Sequence, residues 1–160
     1  EILGKGDSQN CIIIGCGRLG ANLANALSDE GGNVLIMDKN KDAFRKLSPS
    51  FGGLTTVGNA TDIDALQEAQ MEKAETVVVV TNSDNVNVMA AQLAREVFHV
   101  REVIACLYDP ERECVYQEFG IETICPAVLS IKEINKILLK TGAREEESDE
   151  GRAFEEGKCV

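Results

Sequence analysis

Gly15-Cys16-Gly17-Arg18-Leu19-Gly20 follows directly on the apolar run Cys11-Ile12-Ile13-Ile14 and opens a segment whose Leu19, Leu23, Ala24 and Leu27 recur at helical spacing. Glycines at this spacing between a strand and a helix have separate tasks. The first permits a tight turn, the second lets a pyrophosphate approach the backbone, and the third lets the helix pack closely on the strand. Phosphate oxygens then meet free amides at the helix N-terminus. Asp38 closes the second apolar run, Val34 to Met37, at a distance of 38 − 20 = 18 residues from Gly20. A carboxylate in that place accepts hydrogen bonds from both hydroxyls of an adenosine ribose and repels the 2′-phosphate of NADP. The pair predicts an adenine-nucleotide site and leaves NAD(H), ATP, ADP and AMP open. The plainer alternative is a vestigial turn with a solvated Asp38.

The rest of the chain supplies a matching scaffold. Short β-branched runs predict six strands: Cys11 to Ile14, Val34 to Met37, Leu54 to Val57, Thr76 to Val80, Val103 to Leu107 and Glu122 to Cys125. Helical patterns lie between and after them, over Arg18 to Ser28, Asp42 to Leu47, Ile63 to Ala69, Val86 to Phe98, Pro110 to Phe119 and Ile131 to Leu139. Parallel strands need crossover helices, and crossovers are right-handed, so two βαβαβ halves give an α/β, Rossmann-type doubly wound parallel six-stranded sheet. The expected strand order is 3-2-1-4-5-6, with helices on both faces. Val77-Val78-Val79-Val80 has no polar alternation, as befits a central strand buried on both sides. The absence of Trp and a 4% aromatic content require an aliphatic core, which such a sheet provides.

At 160 residues the chain has room for one core and not for a second catalytic domain. Its formal charge of −11 disfavours nucleic-acid backbones and anionic membrane surfaces as partners. Residues 141–160 carry seven acids and three bases, net −4, which leaves −7 on residues 1–140. The expected division is an N-terminal extension over 1–10, a nucleotide-binding domain over 11–140, and an acidic, disordered tail over 141–160. The six cysteines have no CxxC spacing, and most lie within apolar runs, so buried reduced thiols of a cytosolic protein are expected. No apolar stretch approaches the roughly 20 residues of a membrane span, and residues 1–10 show no signal-peptide core.

Further candidates fall at strand ends. Arg18 stands in the phosphate loop, where a guanidinium can fork onto phosphate oxygens; a cation at a helix N-terminus is otherwise disfavoured. Gly58-Asn59-Ala60-Thr61-Asp62 follows the third strand, placing Asn59 and Ala60 at the base, with Thr61 or Asp62 as a helix cap. Thr81-Asn82-Ser83-Asp84 follows the fourth strand: Thr81 and Asn82 face a ribose or the distal half of a dinucleotide, and Ser83 or Asp84 caps the next helix. His99, the single histidine, precedes the fifth strand and belongs to the opposite edge of the sheet. No residues assemble a nucleophile with a base. Cys16 reads as a small packing residue, with a redox-sensitive thiol near a helix N-terminus as the alternative.

These motifs together resemble the TrkA N-terminal domain, also called the RCK or KTN domain, of bacterial and archaeal potassium transport regulators. The resemblance runs from about Cys11 to Leu139 through GCGRLG (15–20), Asp38, GNATD (58–62), TNSDNVN (81–87), YDPE (108–111) and FGIETICP (119–126). It implies a cytoplasmic regulatory subunit without catalysis, held at the inner face of the membrane through its partner. It further implies binding of NAD(H) or ATP/ADP/AMP, assembly as dimers within a ring, and docking on a membrane potassium transporter. Carried over by position, the implied nucleotide contacts are Gly15, Cys16, Gly17, Arg18, Leu19, Asp38, Lys39, Asn59, Ala60, Thr81 and Asn82. Asn59 stands where family members usually have Asp, and Cys106 where they often have Arg. Many members also continue into a C-terminal ligand-sensing subdomain.

Two other functions compete with a regulator: a small NAD-dependent oxidoreductase, and a scaffold whose nucleotide is permanently bound. Self-association is expected from the resemblance and from the apolar Ile131, Ile134, Ile137, Leu138 and Leu139, with ordinary core packing of that helix as the alternative.

Overall fold

A computed structural model describes residues 10–112 and 116–152, with side chains described as far as Lys140. Six strands form one parallel sheet: β1 (Asn10–Ile14), β2 (Asn33–Asp38), β3 (Leu54–Val57), β4 (Thr76–Val79), β5 (Glu102–Cys106) and β6 (Glu122–Ile124). Their order is β3-β2-β1-β4-β5-β6, as the sequence predicts. β1 pairs with β2 through Ile12↔Leu35 and Ile14↔Met37, and with β4 through Ile12↔Val77 and Ile14↔Val79. The chain therefore leaves β1 toward one side, and after β3 returns to lie beside β1 on the other.

Strand side chains alternate between faces, and here both faces are filled. Ile12, Ile14, Val77, Val79, Val103 and Ala105 point into one apolar layer, with Leu66, Ala90 and Ala94. Cys11, Ile13, Val34, Ile36, Val78, Val80 and Cys106 point into the other, with Ala21, Ala24 and Leu27 of the first helix. The edge strand β3 is more open, with Leu54 and Val57 exposed.

The helices of the sheet unit are α1 (Arg18–Asp29), α2 (Ile63–Glu68) and α3 (Asp84–Gln92). Three expected helices differ. The segment predicted over Asp42 to Leu47 is a 3-10 helix, Lys41–Lys46, opened by Asn40, whose side chain accepts from the Asp42 amide. Only Ala43 of this segment is buried. The helix predicted over Val86 to Phe98 starts earlier, at Asp84, and widens to a π-helix over Leu93–Val97 before His99 turns left-handed at φ 55. The Pro110 to Phe119 segment begins as a 3-10 turn, Pro110–Arg112, and residues 113–115 lie outside the described residues.

The chain divides at Pro126: residues Glu1–Cys125 make one compact unit and Pro126–Val160 a second. The boundary expected at residue 140 falls within the second unit. The second unit contains a helix over Pro126–Arg152, longer than the predicted Ile131 to Leu139. It takes in the first part of the segment expected as a disordered tail, because Ala143 to Glu147 and their neighbours are good helix formers. Of the expected N-terminal extension, residues 1–9 lie outside the described residues and Asn10 already belongs to β1. None of the described helices is long and apolar enough to cross a membrane.

Candidate functional site

The fingerprint loop sits where β1 and β4 part company. Gly15 takes φ +104, a region L side chains rarely adopt, and donates its amide to the Met37 carbonyl at 2.8 Å. A Cβ there would lie 2.8 Å from the Thr81 nitrogen and 2.9 Å from the Val80 carbonyl. At Gly20 a Cβ would overlap the Gly15 carbonyl oxygen. Both glycines are therefore fixed by the protein's own packing. Gly17 is not: a Cβ there meets nothing within 4 Å, and its φ of −80 suits any residue. The space over Gly17 is what a phosphate close to the backbone needs.

The α1 N-terminus behind that space has no side-chain cap and no acidic residue in its first turn. By contrast, the Asp62 carboxylate accepts from the Asp64 amide at the head of α2, and Ser83 caps α3, with Asp84 in its first turn. The first amides of α1 have no side-chain cap, and the exposed Arg18 beside them can balance anionic charge. Leu19 is also exposed on this turn.

Asp38, half-buried at the end of β2, ties the loop to the sheet edge. One carboxylate oxygen accepts from the Cys16 amide at 2.8 Å, the other from the Asn40 amide at 2.8 Å. Each oxygen has a second lone pair, so the same carboxylate can also accept ribose hydroxyls. Lys39 follows it, exposed. The Cys16 side chain is buried and its thiol donates to the Ala43 carbonyl at 3.3 Å. Burial and the neighbouring Asp38 carboxylate push that thiol's pKa up, against a smaller opposing pull from Lys46. The packing role expected for Cys16 fits; a thiolate nucleophile does not.

The other predicted contacts lie along the same carboxyl edge. Asn59 is exposed, and its carbonyl oxygen accepts from the Thr61 amide and hydroxyl at 3.1 and 2.9 Å. The cap of α2 is Asp62, which accepts from the Asp64 amide. Ala60 is 7% exposed and its methyl belongs to the core, so any ligand contact from this position is through backbone. Thr81 is half-buried and Asn82 exposed, just past β4. Cys106 is buried among Ile13 and Val78, a place for a small apolar side chain. His99 precedes β5 and stands at the amino edge, away from the loop, as its position implies. A separate cavity of about 300 Å³ also opens at the amino edge, beside Asn10, Asn33, Gly53 and Lys73. It touches none of the fingerprint residues.

Sequence inspection missed Asn87. Its side chain is fully buried and holds the end of β4 to the end of β5. It lies at the end of the TNSDNVN motif (81–87) that carries the resemblance, but no role was read from it. Among the described residues no cluster of His, Cys, Asp or Glu could hold a metal ion.

Comparison with known proteins bears on family and fold. The Trk system potassium uptake protein TrkA of Streptomyces coelicolor is 42% identical over 135 residues, which cover 84% of this chain and 60% of that protein. A TrkA homolog from Methanothermobacter thermautotrophicus is 30% identical over 113 residues, 71% of this chain and 52% of that protein. The chain thus spans less than two thirds of either relative. Among solved structures, the TrkA-N domain of the Escherichia coli inner membrane protein YbaL superposes with a TM-score of 0.70 at 18% identity, over 84% of this chain and 97% of that one. The AMP-bound C-terminal domain of Shewanella denitrificans Kef gives 0.67 at 19% identity, over 91% of both chains. The NAD-bound GsuK channel gives 0.63 at 18%, over 78% of this chain and 22% of that one. At such identities these structures speak for the fold. The family model of the TrkA-N domain matches residues 11–126, nearly all of the sheet unit, and the chain belongs to the TrkA-N domain family.

Proposed function

We propose that this chain is a nucleotide-sensing regulatory domain of a potassium uptake system, binding NAD(H) or ATP/ADP/AMP in the loop from Gly15 to Leu19. One observation carries the proposal. Gly17 is the fingerprint glycine that the fold itself does not require, and the open space above it faces the uncapped head of α1. Phosphates fill that space and take the free amides, Arg18 neutralises them, and Asp38 accepts the ribose hydroxyls. Lys39, Asn59 and the Ala60 backbone border the base; Thr81 and Asn82 border whatever extends past the first phosphate. The relatives' name and the AMP- and NAD-bound neighbours support the assignment.

Binding rather than catalysis is the role. The Cys16 thiol is buried with a raised pKa, and His99 lies at the other edge. The domain acts in the cytoplasm, at the membrane through a transporter partner, and pairs with further copies of itself. A ligand regulates such an assembly only through different affinities for its two states.

Thermal melts of the stripped chain with each nucleotide test the site. A ligand at 100 times its Kd stabilises by about 2.7 kcal/mol, and Gly17→Val, which fills the phosphate space, removes the shift. Equal shifts in wild type and variant contradict the proposed location.

A further inference from the structure

Among the described residues Asn87 is the one polar side chain that is fully buried. An Asn side chain offers two N–H donors and an oxygen with two lone pairs, and Asn87 uses all four. Its Nδ2 donates to the Thr81 carbonyl at 3.1 Å and to the Cys106 carbonyl at 2.9 Å. Its Oδ1 accepts from the Thr81 amide at 2.9 Å and from the Thr81 hydroxyl in a short bond. Reversing the amide would set oxygen against two carbonyls, so the network fixes its orientation. Apolar residues would fill this position at lower desolvation cost. A buried, fully committed amide instead specifies one geometry, that of Thr81 relative to β5.

Thr81 is in turn the residue on which the fingerprint loop rests. The backbone of Val80 and Thr81 lies so close to Gly15 that no Cβ fits between them. One turn earlier on α3, Asp84 accepts from the Tyr108 amide at 2.8 Å and the Asp109 amide at 3.0 Å. The first turn of α3 therefore grips three things: the end of β4 beneath the loop, the end of β5, and the segment that follows β5.

We propose that Asn87 is a positioning residue of the nucleotide site, setting the β4 end against the fingerprint loop and joining it to the end of β5. The inference rests on the nucleotide reading above and deepens it. Asn87 does not touch ligand; it acts through Thr81. AMP ends at the first phosphate and depends on the Gly15 to Leu19 loop and Asp38. NADH and ATP extend past that phosphate toward Thr81 and Asn82, so they alone depend on where β4 ends.

The test is titration of the full chain with AMP, NADH and ATP, in wild type and in Asn87→Asp, which keeps the shape and replaces both donors by an acceptor. A circular dichroism melt checks folding. The expected result is a tenfold or greater loss of affinity for the longer ligands with AMP changed less than twofold. A merely structural role lowers all affinities in parallel, and that outcome, or no change at all, overturns the proposal. Wild type that holds AMP but neither longer ligand overturns it too, since the β4 end then takes no part. Wild type that binds none of the three overturns the nucleotide reading itself. Should the variant fail to fold, hydrogen exchange on wild type decides. The Thr81, Tyr108 and Asp109 amides should slow severalfold on addition of NADH or ATP; protection confined to the fingerprint loop contradicts the role of Asn87.

Discussion

Three glycines in one loop answer to different physics, and substitution separates them. Gly20→Ala forces a methyl onto the Gly15 carbonyl and should destabilise by about 3 kcal/mol or more, measured by urea unfolding. Gly17→Ala puts the same methyl into open space. It should cost about 1 kcal/mol or less as a weaker helix cap, yet sharply lower nucleotide affinity. Stability thus falls mainly at Gly20 and binding mainly at Gly17, three residues apart. Cys11 offers a pH test. Burial pushes its thiol from 9.0 to about 11, so the folded chain holds a proton that the unfolded chain releases. A raised folded pKa means stability that is complete below pH 9 and lost as pH climbs to about 11, by up to about 2–3 kcal/mol. Melting temperatures across that window should fall less in Cys11→Ala than in wild type. The residues legible in advance were those whose type alone restricts their use, Gly15, Gly20 and Asp38. Asn87 was given no role in advance, because a buried amide is recognised by its hydrogen bonds, here three to Thr81 and one to the distant Cys106 carbonyl.

At the scale of elements, the strands were nearly all visible as apolar runs, since a parallel sheet covered on both faces needs no polar alternation. The helices were less so. Lys41–Lys46 and Ile63–Glu68 are both six residues long, and their type is decided by caps and by what their few inward residues meet. Nothing in the apolar spacing of Val86 to Phe98 announces the π-helix at Leu93–Val97, which the left-handed His99 and the return into β5 accompany. GNATD illustrates a motif divided between two jobs: Asp62 caps α2 while Asn59 faces outward. Asp62→Ala should therefore lower stability by about 0.5–2 kcal/mol in denaturant unfolding and leave nucleotide affinity within twofold. A large loss of affinity would move Asp62 from the helix cap into the ligand shell.

For the whole molecule, strand order followed from alternation and handedness alone, and the proposed location of the site rests on the rule that ligands of open α/β sheets sit beyond the carboxyl ends of the strands. On the C-terminal helix Leu129, Ile131, Ile134, Ile137, Leu138 and Leu139 are all exposed, more apolar surface than isolated side chains explain. With the proposed pairing of copies, light scattering should give at least twice 17.3 kDa, and Ile134→Glu should shift it to the single-chain mass. A wild-type chain that stays at 17.3 kDa at high concentration contradicts the pairing. The central claim is that the fingerprint loop holds an adenine nucleotide, and calorimetric titration of the stripped chain with NADH, NAD, ATP, ADP and AMP tests it most directly, with Asp38→Ala alongside. In the proposed site Asp38 accepts two ribose hydroxyls at about 1.5–3 kcal/mol each, so binding of one or more ligands in wild type should weaken by a factor of roughly 100 or more in the variant. No heat from any of the five, or affinity untouched by loss of Asp38, would leave the loop as architecture alone.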